Sequence, residues 1–497
     1  MTVPPEQLEA AAFLRRLAGR DPTETHISAV FVGPLTVWKM KKAVRLSFLD
    51  FSALDDRRRF LEREVELNQP AAPGIYRDVA AVVRGRHGPL AITPEPGDRE
   101  VLEWVLRMAP IPEQDFLDTV AARGELSPGL LDALGDRVTE YHRARPPVPD
   151  QDSAAALQDV ATGNAHAAIA SGLPEPVIRN WLDEVRAALS ERSGWLAERA
   201  GAGLVRRGHG DLHLGNLCLW KGAPVPFDAL EFDERMATID LGYDLAFLLM
   251  DLDQRADRPA ANRVMNRYLA RTGDTDLLRG LPLFLSLRAM VLAHVQQSRG
   301  NEEASAGYLQ AALDYLHPVP PVVLAIGGLP GTGKSTLARM LAPELGAAPG
   351  AFVARSDEIR KRRFGAGPEE RLPASAYTET VNAELAAAVA EATRLAAAGG
   401  QAVVADATFI DPEHRLGVAV SAAAAGVPFL GIWLEAPLAV LESRIIARRG
   451  DASDATIDVL LRSAARDHGA IDWLKLDAQD LDRTASIVRQ ELRRRIS

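Results

Sequence analysis

The stretch Gly328-Leu-Pro-Gly-Thr-Gly-Lys-Ser335 lies between an apolar run at residues 322–326 and a helix-favouring run at residues 337–341. It matches the pattern G-x-x-x-x-G-K-[ST], in which glycines let backbone N–H groups turn inward around phosphate oxygens. In this pattern the lysine reaches the β- and γ-phosphates of a nucleotide, and the next hydroxyl ligates Mg²⁺. We therefore assign to ATP binding Gly328, Gly331, Thr332, Gly333, Lys334, Ser335 and Thr336, with Ser335 also as a metal ligand.

The sequence around this loop alternates apolar runs with helical stretches. The apolar runs are residues 322–326, 352–354, 402–405 and 429–434. A repeated strand–helix pattern predicts a parallel, doubly wound sheet, here an α/β domain. Upstream, Leu316-His-Pro-Val-Pro-Pro321 contains three prolines, which favour extended backbone and prevent a helix from continuing. We place a domain boundary there, dividing the chain into residues 1–317 and 318–497.

Several charged residues of the C-terminal part are candidates for roles in phosphoryl transfer. Asp406 ends an apolar strand and is a candidate second metal ligand. Asp357 and Arg360 are three apart, hence on one helix face, where Asp357 could accept the proton of an acceptor hydroxyl and Arg360 hold a substrate anion. Arg444 and Arg448 are four apart and suit a lid that closes on the phosphates of ATP.

With these residues, the part from 320 to 497 resembles the small-molecule and polynucleotide kinase branch of the P-loop proteins, which includes gluconate kinases and zeta-type toxins. The resemblance implies an adenylate-kinase-like fold with five parallel strands and helices on both faces. It also implies that Asp357 is the general base and that Arg444 and Arg448 contact ATP.

A second motif, His209-Gly-Asp-Leu-His-Leu-Gly-Asn216, has the spacing H-x-D-x-x-x-x-N of a kinase catalytic loop. In such a loop Asp211 orients or accepts the proton of the acceptor hydroxyl, and Asn216 ligates Mg²⁺. Asp228 follows at the end of a short predicted strand, where kinases place their other metal ligand. The sequence therefore predicts a second phosphoryl-transfer site.

A kinase also needs a cation on its small lobe. Residues 36–41 alternate as a strand, so Val37, Lys39 and Lys41 share one face. We assign Lys39 to the α- and β-phosphates of ATP, with Glu64 of the predicted helix 55–68 as its partner. Lys41 is expected to point past the pocket.

The order of elements in residues 1–317 is that of a bilobal kinase. Strand-like runs predict a small lobe at about 20–110, and helical patterns predict a large lobe at about 111–317. The catalytic loop, Asp228 and Tyr243-Asp244 resemble the aminoglycoside phosphotransferase family. That likeness implies an α+β protein-kinase-like fold, Asp211 as catalytic base, Asn216 and Asp228 as Mg²⁺ ligands, and Asp244 as a brace of the loop. The sequence departs from the kinase pattern by having Asp-Ala-Leu in place of D-F-G and no G-x-G-x-x-G flap.

Composition limits the partners and the location. A formal charge of −10 argues against wide wrapping of nucleic acid, which needs many lysines and arginines. No apolar run approaches the ~20 residues that cross a bilayer, and the acidic first residues do not resemble an export signal. One cysteine, Cys218, rules out an internal disulfide framework and fits a reducing compartment. We expect a cytoplasmic enzyme with ATP, Mg²⁺ and small-molecule acceptors.

The combined interpretation is a bifunctional ATP-dependent kinase, similar to bacterial fusions of these two families, with a hydroxyl as acceptor in each domain. Two alternatives remain at this stage. One domain could sense ATP while only the other transfers phosphate, or the C-terminal domain could act on polynucleotide ends or nucleotide sugars through the basic run 360–363. The acceptors, the oligomeric state and any coupling between the domains are not determined by the sequence.

Overall fold

Short antiparallel strands dominate the first part of the chain, and parallel strands separated by helices dominate the last part. The computed structural model describes residues 2–46, 49–85, 88–149, 151–447 and 452–496. Its strands are β1 (Thr23–Glu24), β2 (Ser28–Val32), β3 (Val37–Lys41), β4 (Arg45–Leu46), β5 (Leu49–Asp50), β6 (Tyr76–Arg84), β7 (Leu90–Thr93), β8 (Glu100–Met108), β9 (Val205–Arg207), β10 (Leu217–Trp220), β11 (Ala223–Pro226), β12 (Thr238–Asp240), β13 (Val323–Gly328), β14 (Phe352–Arg355), β15 (Val403–Asp406), β16 (Phe429–Glu435) and β17 (Leu474–Asp477).

The α-helices follow the same division. They are α1 (Leu8–Ala18), α2 (Leu54–Asn68), α3 (Leu117–Ala122), α4 (Pro128–Arg143), α5 (Ser153–Ala170), α6 (Glu175–Glu191), α7 (Ser193–Gly201), α8 (Glu234–Ala237), α9 (Leu241–Arg255), α10 (Arg258–Thr272), α11 (Leu281–Ser298), α12 (Glu302–Leu316), α13 (Lys334–Leu341), α14 (Ser356–Arg363), α15 (Glu379–Ala398), α16 (Pro412–Ala424), α17 (Leu438–Ala447), α18 (Ile457–Ala464) and α19 (Leu481–Ile496). Within the described ranges, no helix is both long and apolar enough to cross a membrane.

The chain divides into two units. Unit 1 contains Met1–Leu126, Glu140–Ala156 and Ser193–Leu245, and unit 2 contains Ser127–Thr139, Leu157–Arg192 and Ala246–Ser497. The proline-rich segment near residue 318 separates the helices of unit 2 from its parallel sheet, because α12 ends at Leu316 and β13 begins at Val323. The domain boundary that we placed there stays a prediction.

Unit 1 is built around an antiparallel sheet in the order β1-β2-β3-β8-β6-β7. Strand β3 pairs with β2 on one side and β8 on the other, which places Lys39 opposite Val30 and Leu106. Helix α2 packs on the sheet through Leu61, which is completely buried. The catalytic loop follows β9 and leads into the β10–β11 hairpin. The predicted α+β, protein-kinase-like class is confirmed.

Unit 2 contains a parallel sheet in the order β14-β15-β13-β16-β17. Strand β13 lies at its centre and is buried along its whole length, as expected for a strand covered by helices on both faces. The carboxyl ends of parallel strands meet at one edge of a sheet, and this brings the phosphate loop after β13 close to the ends of β14 and β15. The predicted α/β class is confirmed, including the expected five strands. The sequence did not locate the short, mostly exposed β17.

Helix α10 covers the open edge of this sheet within unit 2. The side chain of Asn266 accepts a hydrogen bond from the backbone N–H of Val353 in β14 at 2.7 Å. Asn262 donates from its amide to the carbonyl of Ala351 at 3.0 Å. These contacts satisfy backbone groups that an edge strand otherwise leaves unpaired.

Replacement of Asn266 by Ala is expected to lower the free energy of unfolding of unit 2 by about 1–3 kcal/mol, because the N–H of Val353 loses its partner. Chemical denaturation of the full chain measures the change. Asn180 is a matched control, since its amide donates to Glu184 on an exposed helix face, and Asn180→Ala is expected to change stability by less than about 0.5 kcal/mol. Equal effects of the two substitutions would contradict a structural role for the Asn266 contact.

Candidate active sites

The phosphate loop of unit 2 has a backbone that only glycine adopts without strain. Gly328, Gly331 and Gly333 have φ angles of 141°, 87° and 88°. A Cβ atom at Gly328 would lie 2.7 Å from the carbonyl oxygen of Leu434, and one at Gly331 would lie 2.8 Å from that of Leu441. Helix α13 starts directly after Gly333, so its unpaired N–H groups face the loop. The loop therefore fits a phosphate chain.

The side chains of the loop converge on one cavity of about 760 Å³. The Nζ atom of Lys334 donates to the carbonyls of Gly328 and Leu329, both at 3.0 Å, which holds the lysine across the loop. Ser335 and Thr336 line the same cavity. Thr332 is buried, and its hydroxyl donates to the carbonyl of Leu329 at 2.8 Å, so it stabilises the loop from within.

Carboxylates from the ends of two neighbouring strands reach this cavity. Asp406 ends β15 and is 2% exposed, and its Oδ2 atom lies 3.5 Å from Nε of Arg355 at the end of β14. Among the described residues, this Oδ2 atom accepts no hydrogen bond, which suits an oxygen that binds a cation. Asp357, at the start of α14, lines the same wall. The structure thus brings Ser335, Asp357 and Asp406 together, as predicted.

The environment of Asp357 favours its protonated form. Burial raises the pKa of this carboxyl above its ordinary value, and the charge of Asp406 adds to the increase. Arg355, Arg360 and Lys334 oppose the increase through their positive charges. A general base with a raised pKa is closer to the pH at which a proton acceptor works best.

If Asp357 is the base of this site, activity in unit 2 requires its ionised form. We expect kcat/KM to fall as the pH is lowered through a pKa above 3.8, the ordinary aspartate value. Removing the opposing charge with Arg355→Met is expected to move this acid limb to higher pH. A pH–rate profile of the unit 2 reaction measures both effects, and the unit 1 reaction of the same variant serves as the control. An acid limb that stays in place in Arg355→Met would contradict the assignment.

Arg360 lies on the same cavity and is held by several contacts. Its guanidinium donates to the carbonyl of Ala376 and to Oδ1 of Asn382, the latter at 3.0 Å, and it lies 4.6 Å from the ring centre of Tyr377. Its Nε atom is buried and has no hydrogen-bond partner within the described part of the chain. The residue is therefore fixed beside Asp357, and its Nε–H is among the donors that the described contacts leave unused, which fits the predicted anion-binding role.

Asp454, which the sequence did not indicate, connects the segment before α18 to the wall of the cavity that contains Arg360 and Tyr377. It accepts hydrogen bonds from Nζ of Lys361 at 2.7 Å, from the backbone N–H of Leu372 at 3.1 Å and from the hydroxyl of Tyr377. Lys361 is 2% exposed. This network fixes the tyrosine ring on which Arg360 stacks.

The predictions for the two lid arginines, Arg444 and Arg448, have different outcomes. Arg444 in α17 lines the cavity and donates to the carbonyl of Ala478 at 2.9 Å and to that of Thr332 in the phosphate loop at 3.4 Å. It is thus close to the expected position of the phosphates. Arg448 lies outside the described residues.

The catalytic loop of unit 1 is braced from below by Asp244. Its carboxylate accepts hydrogen bonds from the backbone N–H groups of His209 at 2.6 Å and Gly210 at 3.0 Å, and it lies 3.2 Å from Nε2 of His142. A buried carboxylate between these groups fixes the start of the loop. The role inferred for Asp244 from the resemblance agrees with these contacts.

Asp211 and Asn216 meet at the other end of the loop. The side-chain amide of Asn216 donates to Oδ2 and to the backbone carbonyl of Asp211, both at 2.9 Å. His213 lies between them in sequence, and its Nδ1 atom accepts from the N–H of Gly215 at 3.1 Å. The histidine therefore holds the turn, while the amide of Asn216 holds the carboxylate of Asp211.

The predicted ion pair between Lys39 and Glu64 forms in the small lobe. Nζ of Lys39 lies 2.7 Å from Oε1 of Glu64 and 2.5 Å from Oδ1 of Asp228. Lys41 was expected to point past the pocket; its Nζ atom is 2.7 Å from Oε2 of the same Glu64 and also contacts Oε1 of Glu231. Alternation placed Lys41 on the face of Lys39, but only the fold shows that α2 and the segment after β11 close over both lysines.

Asp228 is held in an unusual conformation. Its φ angle is +61°, in the left-handed region that residues other than glycine rarely adopt. Its backbone N–H donates to the hydroxyl of Tyr76 at 2.8 Å, and the N–H of Ala229 donates to Oδ1 of Asn68 at 2.8 Å. Burial raises the pKa of Asp228, but the charges of Lys39 and Lys41 and the hydrogen bond from Lys39 together lower the pKa overall, while the charge of Asp211 opposes them. Tyr76 and Asn68 were missed in the sequence, since nothing local marks them.

These side chains fit a hard cation. Mg²⁺ binds oxygen ligands and usually takes only one or two carboxylates from a protein. The described residues contain no group of three or more His, Cys, Asp or Glu side chains that could hold a metal ion. Asn216 and Asp228 in unit 1, and Ser335 and Asp406 in unit 2, have the chemistry that ATP–Mg²⁺ requires.

Known proteins resemble the chain over different spans. Residues 323–467, which include the phosphate loop, match a family model described as an AAA domain. An uncharacterised protein of Mycobacterium tuberculosis (strain H37Rv) is 29% identical over 472 residues, covering 91% of this chain and 90% of that protein. Among solved structures, choline kinase from Cryptosporidium parvum is 10% identical with a TM-score of 0.40, over 63% of this chain and 94% of that one. The APS kinase CysC of M. tuberculosis is 21% identical with a TM-score of 0.26, over 35% of this chain and 98% of that one.

The family match and the kinase-type elements of unit 1 support an ATP-dependent phosphotransferase.

Proposed function

We propose that the chain is a bifunctional kinase that transfers the γ-phosphoryl group of ATP to a hydroxyl of a small molecule at each of two sites. One observation supports the proposal: each unit brings together a lysine, carboxylates and a further oxygen-bearing side chain, the set that phosphate binding, proton acceptance and Mg²⁺ binding require. In unit 1 the lysine is Lys39, and in unit 2 it is Lys334. Phosphoryl transfer requires little covalent chemistry from a protein, so positioning and charge supply most of the catalysis.

In unit 1, Asp211 orients the acceptor hydroxyl and accepts its proton as the phosphoryl group leaves ATP. Asn216 keeps the Asp211 carboxylate in place through the 2.9 Å hydrogen bond and would hold Mg²⁺ together with Asp228. Lys39 binds the α- and β-phosphates, with Glu64 fixing its position. Bound ATP–Mg²⁺ would supply the phosphoryl group and offset its charge.

In unit 2, the amides of the loop and Lys334 bind the phosphates, and Ser335 and Asp406 would hold the metal ion. Asp357 accepts the proton of the acceptor, and Arg360 binds an anionic group of the same molecule. Arg444 reaches the phosphate loop from α17 and adds positive charge at the transferring group.

No structural observation favours polynucleotide ends as the acceptor. Three residues of the basic run 360–363 are bound within the chain: Lys361 to Asp454, Arg362 to Ala270, and Arg363 to Glu384. Guanidinium and ammonium groups used in this way are less available for phosphates of a nucleic acid.

A phosphorylation screen of a metabolite library tests the proposal. The full chain, Asp211→Asn and Lys334→Ala are compared with radiolabelled ATP. Two acceptors are expected, one lost in each variant and kept in the other. If every phosphorylated product depends on the same variant, one unit is a nucleotide sensor, and if no product depends on either, the proposal fails.

A further inference from the structure

Lys41 is a buried lysine with no place in the proposed chemistry. Its side chain is completely buried, and its Nζ atom is shared between Oε2 of Glu64, at 2.7 Å, and Oε1 of Glu231. The ring of Phe51 lies 5.7 Å from the same ammonium. Although burial lowers the pKa of Lys41, the charges of Glu231 and Glu64 raise it above the ordinary value, so the ammonium stays protonated.

Lys41 fixes the orientation of the Glu64 carboxylate that binds Lys39. One carboxylate oxygen of Glu64 binds Lys39 and the other binds Lys41, both at 2.7 Å. The two contacts fix the plane of the carboxylate. Without Lys41, the second oxygen would be free to draw Lys39 away from Asp228 and from the phosphates.

Lys41 also connects α2 to the segment that carries the metal ligand. Residues 228–231 are attached to α2 at two points. The first is the 2.8 Å hydrogen bond between the N–H of Ala229 and Asn68, and the second is the Glu64–Lys41–Glu231 contact. Asp228 lies at the start of this segment, in a left-handed conformation that needs outside support.

We propose that Lys41 and Glu231 are positioning residues of the unit 1 site, which set Lys39 and Asp228 at the same time and so make ATP binding dependent on Mg²⁺. The inference rests on the proposed kinase function of unit 1. It identifies a second lysine on β3 that acts through Glu64 and does not itself touch the nucleotide.

The test measures ATP binding by calorimetry to the full chain carrying Lys334→Ala, so that the unit 1 site is observed. The affinity for ATP is measured once in excess Mg²⁺ and once in EDTA, and the two values are compared. Removal of Lys41 alone leaves the buried Glu231 and one oxygen of Glu64 without their ion-pair partner and is expected to destabilise the fold, so Lys41→Met is combined with Glu231→Gln. The Mg²⁺-dependent gain in affinity is expected to fall at least tenfold in the double variant and at least threefold in the isosteric Glu231→Gln.

Lys42 provides a matched control. It is the next residue, its side chain is also completely buried, and it binds Glu24 and the carbonyl of Thr25, both at 2.7 Å. Lys42→Met is expected to lower the melting temperature but to leave the ratio of the two affinities unchanged. If Lys41 had a purely structural role, the variants of Lys41 and Glu231 would likewise lower the melting temperature and leave the ratio of the two affinities unchanged.

Lys39→Met separates failure of this inference from failure of the proposed function. In the same background it is expected to weaken ATP binding strongly. If it does not, unit 1 is not the proposed kinase. If it does, but the variants of Lys41 and Glu231 behave like Lys42→Met, the positioning role is overturned while the kinase function stands. Should the double variant not fold, Glu231→Gln decides, because an unchanged ratio there also overturns the inference.

Discussion

Replacement of Asp211 by Asn is expected to lower the turnover of the unit 1 reaction by about 10²–10⁴-fold, the range that a positioned general base contributes. The amide cannot accept the proton of the acceptor hydroxyl. Asn216 donates to Asp211 at 2.9 Å and would face an uncharged group after the substitution. ATP binding is expected to persist, because Lys39 and Glu64 are untouched. The measurement is kcat for the acceptor that the screen assigns to unit 1, with ATP affinity determined in parallel.

Asp233→Asn is the control for charge removal in the same unit. Asp233 caps α8 by accepting hydrogen bonds from the N–H groups of Arg235 and Met236, and asparagine caps helices equally well. Its turnover is expected to equal that of the unmodified chain. If Asp211→Asn kept more than a tenth of the original turnover, Asp211 would not be the base.

Replacement of Lys334 by Ala is expected to remove ATP binding from unit 2, so that the full chain binds one ATP instead of two. The ammonium lies across the phosphate loop on the carbonyls of Gly328 and Leu329 and is the only side-chain cation that the motif itself supplies to the β- and γ-phosphates. Loss of one such charge-stabilising donor typically costs about 10²–10³-fold in kcat. Calorimetric stoichiometry and turnover of the unit 2 acceptor measure the two effects.

Lys475→Ala is the control for this substitution. Lys475 lies in β17 of the same sheet and forms an exposed ion pair with Glu435 at 3.4 Å, an arrangement that contributes little. Stoichiometry and turnover are expected to stay unchanged. Two bound ATP molecules per chain in Lys334→Ala would show that the loop is not the binding site of unit 2.

The sequence predicted the parts of both sites that lie close together in the chain. The phosphate loop and the catalytic loop are continuous stretches, and their glycines, turns and caps define a local backbone whatever surrounds them. Strand periodicity placed Lys39 correctly because alternation is a property of the strand itself. Helical spacing likewise placed Asp357 and Arg360 on one wall of the cavity. The short, mostly exposed strand β17 was not predicted, because its sequence pattern differs little from that of a loop.

By itself, therefore, the sequence determined the two fold classes and most of the candidate residues of each site. Only the tertiary structure decided which charges meet. Lys41 and Glu231 are 190 positions apart, and Asp454 binds Lys361 over 93 positions. Such pairs form because burial removes water from both partners and leaves each charge to be satisfied by the other, and burial depends on how whole helices and strands pack.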